Sequence, residues 1–144
     1  MLNSSSKTSD PVYGSPADAR QTFVASQLSA FALRQRALAR MSNDLEWLIA
    51  QPKGSVEWGG TRRDLVEMAN LVWMQHTAVD ECGCPYCRRE LVRRAFAAVG
   101  LPVPANIERV VMKLRERTTM ERSMLSRYQH LIDEPDIIGR FCKK

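Results

Sequence analysis

Glycine and proline breaks, set between apolar residues that recur at three- and four-residue steps, constrain this chain more than any other feature. The breaks are Pro52-Lys53-Gly54, Gly59-Gly60, Gly100-Leu101-Pro102-Val103-Pro104 and Pro135. Apolar spacing between them is helical rather than alternating, which predicts a mainly α fold. Ahead of the first break, Val24, Leu28, Phe31, Leu38, Leu45 and Ile49 fall on one side of a single long helix, interrupted by Gln35 and Ser42. That helix is expected to begin at Ala17 or Arg20 and to end near Ala50. Its stripe is expected to pack within the chain, because the run spans only a few heptads; pairing in a homodimer is the alternative.

Beyond the break, Ser55 to Trp58 reads as a short extended piece. Thr61 and Asp64 then form a capping-box pattern, opening a helix that runs to about Gln75 and buries Leu65, Val72 and either Met68 or Ala69. His76 to Cys84 is a connector. Pro85 suits the first turn of the next helix and Gly100 its stop, with Leu91, Val92, Ala95, Phe96 and Val99 turned inward. A further helix, Ala105 to Arg117, is predicted to bury Ile107, Val110, Val111 and Leu114. Thr118 and Glu121 repeat the capping-box pattern before a last helix carrying Met120, Met124, Tyr128 and Leu131. The expected organisation is a flexible Ser- and Pro-rich tail at 1–19, a long helix at 20–53, a helical unit at 54–134 and a C-terminal tail at 135–144. The long helix would pack on a C-terminal unit of helix-turn-helix or winged-helix type.

Charge narrows the function. The chain carries a net charge of +5. Between Cys82 and Arg127 ten Lys and Arg face four Glu, while the rest of the chain holds eleven basic and twelve acidic residues. A surplus confined to one region suits a phosphate-binding surface, although a basic helix face also serves solubility alone. Arg109, Lys113 and Arg117 recur every four residues on the outer side of their helix, which makes them the candidates to enter a DNA groove. Arg88, Arg89, Arg93 and Arg94 are candidates to hold phosphates, since a planar guanidinium grips them well.

Three of the four cysteines, Cys82, Cys84 and Cys87, crowd into six residues. That is too cramped for a disulfide framework and closer to metal spacing. They could hold a structural zinc, with His76 or Cys142 as fourth ligand; the plain alternative is reduced loop cysteines. Cys84-Pro85-Tyr86-Cys87 also occurs in redox proteins, but after a strand in a mixed α/β fold that this chain does not show. Neither a phosphate loop nor a dinucleotide fingerprint is present, and no acid pair or nucleophile triad suggests an enzyme. No cofactor is required. No stretch is long and apolar enough for a membrane span, and the N-terminus lacks the apolar core of a secretory signal, so the expected location is the cytoplasm.

The stretch Val56-Glu-Trp-Gly-Gly-Thr-Arg-Arg-Asp-Leu-Val-Glu-Met68 resembles the entry to the C-terminal domain of the RteC family. Asn106 to Arg117, followed by Thr118-Thr119-Met120-Glu121, is similar to that family's later helix, basic turn and closing helix, and the long helix at 20–50 sits where the family has one. Members are helical regulators carried on conjugative transposons of Bacteroides-type bacteria. The resemblance implies a winged-helix domain that binds inverted-repeat double-stranded DNA and tunes genes for element excision and transfer. The alternative is a non-catalytic helical interaction or scaffold module on a similar frame.

Overall fold

The computed structural model describes residues 16–115 and 123–143. Among them are helices α1 (Pro16–Ile49), α2 (Arg62–Gln75), α3 (Arg88–Val99), α4 (Ile107–Leu114) and α5 (Met124–His130). Two short strands, β1 (Glu57–Trp58) and β2 (Cys142–Lys143), and a single 3-10 turn at Ile138–Arg140 complete the described elements. The protein is therefore mainly helical, as the apolar spacing predicts. No helix among the described residues is long and apolar enough to cross a membrane.

The helix starts follow from local chemistry. The Thr61 hydroxyl accepts from the Asp64 amide at 3.1 Å, and the Asp64 carboxylate accepts from the Thr61 amide at 3.1 Å. Both arms of the expected capping box are thus present, and they satisfy two amides that the first turn of α2 leaves without helical partners. Asn106 and Ser123 cap α4 and α5 in the same manner, accepting from Arg109 and Ser126. Gly100 ends α3 in the left-handed conformation at φ 69°. His76 does the same for α2 at φ 56°, a conformation that any residue with a Cβ adopts at some expense.

Pro85 does not open the third helix. It bridges to Val79 in the connector, and α3 begins at Arg88 with Cys87 at its cap. The connector already has structure of its own: the Tyr86 amide donates to the Ala78 carbonyl, and Asp80 and Cys84 pair through their backbone. These bonds hold Pro85 in extended geometry, which postpones the helix by about one turn.

The chain divides after Leu33 into two units. In the first, residues 19–32 of α1 are all exposed. In the second, Ala37, Leu38, Met41, Ser42, Leu45 and Leu48 are buried. The stripe expected along the whole of α1 is therefore split: Leu38 and Leu45 pack inside the chain as expected, whereas Val24, Leu28 and Phe31 do not. The reason lies in where partners meet the helix. Gln75 donates to the Leu38 carbonyl, Arg40 donates to the carbonyls of Ile132 and Glu134 at 3.1 and 2.8 Å, and Ser42 pairs with Thr77. Tyr128 donates to Asp44 at 2.7 Å. All these clasps fall between Leu38 and Asp44. α1 also opens at Pro16, inside the segment read as tail.

The core of the second unit is built on α2, whose residues 64–69 are all buried and which packs against α3, α4 and α5. Leu91, Val92, Ala95, Phe96 and Val99 of α3 point inward as expected. β1 and β2 form an antiparallel ladder with Trp58 opposite Cys142 and Glu57 opposite Lys143. The Gly59 amide extends it by donating to the Phe141 carbonyl at 2.6 Å. Phe141 is stacked between Trp58 and Tyr128, with both ring centroids 6.0 Å away. The extended piece before α2 is thereby fastened to the far end of the described chain.

Candidate nucleic-acid interface

The eight residues of α4 divide cleanly. Ile107, Val111 and Leu114 are buried and Val110 is half-buried, while Glu108, Arg109, Met112 and Lys113 are exposed. Asn106 sets this rotation by fixing the first turn. Arg109 and Lys113 then stand one helical turn apart on the solvent side, and neither pairs with a carboxylate among the described residues. Arg117 lies outside the described residues, as does the capping-box pattern at Thr118 and Glu121.

The arginines of α3 are arranged otherwise. Arg93 meets Glu90 at 2.6 Å and Arg94 meets the same carboxylate at 2.7 Å. The hydrogen bonds from Arg93 and then Arg94 lower the Glu90 carboxyl from its ordinary range to about 2. Glu90 is therefore ionised at any working pH, and the trio carries one net positive charge instead of two. Arg94 also lies over the Tyr86 ring at 5.1 Å.

Arg88 is turned inward, with 22% of its side chain exposed. It reaches Asn70 on α2 at 3.4 Å and Glu108 on α4 at 3.5 Å, and covers the Trp73 ring at 5.0 Å. It ties the starts of α3 and α4 to α2, which is a positioning task. Of the four α3 arginines, only Arg89 is both exposed and without an internal partner among the described residues. Sequence reasoning missed Glu90, although its spacing of three and four residues from Arg93 and Arg94 is the ordinary signal of helical ion pairs. Arg127, counted in the basic stretch, is half-buried and turned toward the core: it pairs at 3.1 Å with Asp64, whose side chain is 2% exposed.

Cys82, Cys84 and Cys87 are all exposed in the connector. Asp80 organises it, its Oδ1 accepting from the amides of Cys82 and Cys84 at 2.9 and 3.0 Å, with Gly83 at φ 82°. Of the two candidate fourth ligands, His76 is the C-cap of α2 with its ring edge-on to Trp73. Cys142 is buried in β2, where burial and then the Asp44 and Asp136 carboxylates push its thiol up to about 11. Among the described residues no three His, Cys, Asp or Glu side chains are gathered for a metal ion.

Comparison of the chain with models of protein families, with curated proteins and with solved structures finds no match.

Proposed function

We propose that this protein is a DNA-binding regulator in which α4 enters the major groove and Arg89, with the Arg93–Glu90–Arg94 trio, lies along the phosphates. The observation that carries the reading is the pair Arg109 and Lys113, exposed and without a carboxylate partner among the described residues, on a helix whose other face is anchored in the core. At about 1.5 Å per residue α4 is about 12 Å long, which matches the width of the groove it would occupy. The connection from α3 to α4, Gly100–Asn106, is longer than the three or four residues of a tight helix-turn-helix. We therefore read the frame as winged-helix-like, with the β1–β2 ladder at its edge. Control of mobile-element genes is the role suggested by the RteC-like stretch at Val56–Met68.

Titration of labelled genomic fragments at two salt concentrations tests this. If about four phosphates are neutralised, affinity should fall roughly 100-fold between about 50 and 200 mM salt, with some fragments bound far more tightly than others. Absence of binding at the lower salt rejects the reading in favour of a helical interaction module, which the exposed apolar residues of α1 would then explain.

Glu90→Gln offers a sharper measurement. The substitution releases Arg93 and Arg94 and adds one positive charge to α3, so DNA affinity should rise about threefold and the salt dependence steepen by roughly one phosphate. Stability should fall by less than about 1 kcal/mol, because exposed ion pairs contribute little. Since the folded pairing lowers the Glu90 carboxyl, its small contribution is complete above the ordinary carboxylate range and is lost as pH falls toward about 2. Unchanged affinity in Glu90→Gln would remove α3 from the interface.

A further inference from the structure

Within the exposed half of α1, Phe23, Val24, Leu28 and Phe31 are 64%, 52%, 63% and 60% exposed. At about 100° per residue the four fall within an arc of about 140°, so they form one stripe and not a scatter. Between Ala19 and Leu33 the only charged residue is Arg20. Val24, Leu28 and Phe31 follow the four-then-three spacing of a heptad seam, and Leu38, Ser42 and Leu45 continue that spacing where the chain itself covers it. The seam is thus satisfied internally beyond Arg34 and open before it.

This half only extends a helix anchored farther along, and Thr22, Ser26 and Ser29 lower its propensity. A cover for the stripe would supply the packing that propensity does not.

We propose that this half of α1 pairs with the same half of a second copy of the chain. Identical faces repel when they carry charge, and this one carries almost none, which favours self-pairing over a charged partner. Gln27 lies inside the arc, where a single polar residue in an apolar seam sets register between two helices. Taking a buried aromatic at ~200 Å², the four side chains offer roughly 400 Å² per copy and ~800 Å² per pair. Gln27 within the arc and Ala25 and Ala32 at its margin bring the total to about the 1,000 Å² that a specific interface needs. An area of that size sits at the lower limit for a specific interface, so the expected dimer is a weak one. The inference does not depend on DNA binding.

Sedimentation equilibrium of the full chain over roughly 1–200 μM is the test. The expected result is a monomer–dimer equilibrium within that range. Leu28→Glu combined with Phe31→Glu should weaken it by about 100-fold or more, leaving monomer throughout, with the thermal melt of the second unit unmoved. Phe31→Ala alone, a milder change, should weaken the dimer about tenfold and keeps the test decisive should the double variant fail to fold. A wild-type chain that stays monomeric at the highest concentration overturns the proposal, as does a dimer that both variants leave unchanged.

Discussion

Replacing Arg109 and Lys113 together by alanine is expected to raise the dissociation constant for DNA by about 100-fold at moderate salt, and by more for the tightest sites. The two side chains stand on the same exposed face of α4 and make no internal ion pair among the described residues, which leaves them to face a ligand. Each phosphate that the variant no longer neutralises should also flatten the dependence of affinity on salt by about one, giving a combined change of about two. If Arg109 reads a guanine edge, its single replacement will additionally relax preference at one base position by about 1–3 kcal/mol. Folding should be unaffected within about 0.5 kcal/mol, because neither side chain is buried. Arg93→Ala provides the contrast: Glu90 already holds that guanidinium, so its removal should matter much less. Competition binding with one operator-like fragment at several salt concentrations measures all of this. Equal affinity in the wild type and the double variant would disprove the role of α4.

The second large effect is on stability. Asp64→Ala should destabilise the protein by about 3 kcal/mol or more, lowering the melting temperature by about 10 °C. Bonds from two elements converge on that residue: its backbone amide completes the Thr61 cap, its side chain accepts from the Thr61 amide, and its carboxylate accepts from both terminal nitrogens of Arg127 in α5. Alanine keeps only the first of them. With Asp64 2% exposed and Arg127 30% exposed, truncation strands a partly buried guanidinium as well as a helix end. Thr61→Ala removes only one cap bond and should cost about 1 kcal/mol. Asp64→Asn should fall between them, since an amide oxygen still accepts while the charge is gone. Urea denaturation of the three variants separates these cases. Destabilisation by Asp64→Ala and by Thr61→Ala that agrees within about 0.5 kcal/mol would mean the link to α5 contributes nothing.

Local chemistry was the part of this fold most open to reading. Thr61 with Asp64, and Gly100, announce helix ends through bonds made within a few residues, and the structure places both as the sequence indicates. Contacts between distant segments were hidden. Nothing near Val24, Leu28 or Phe31 distinguishes them from Leu38 and Leu45; the difference comes from the carbonyls after α5, Thr77 and Tyr128, which bond α1 at Arg40, Ser42 and Asp44. Pro85 was misleading because proline suits both a first helical turn and an extended bridge, and the connector's backbone bonds choose the second. The candidate interface divides in the same way. The outward face of α4 follows from periodicity, whereas the engagement of Arg88 with Asn70, Trp73 and Glu108 depends on three helices meeting and is invisible in a linear pattern.

The ladder between Glu57–Trp58 and Cys142–Lys143 bears on how the protein is made. A ribosome delivers residues in order, and domains commonly begin folding before synthesis finishes. Here β1 waits for a partner made more than eighty residues later, while α2 and α3 can already assemble. Trp58 must therefore wait through more than eighty residues of synthesis without Phe141 beside it, an apolar ring open to chaperones or to neighbouring nascent chains. The stitch that hides this early aromatic side chain can be made only after Phe141 and Cys142 have been synthesised, and until then the ring stays vulnerable.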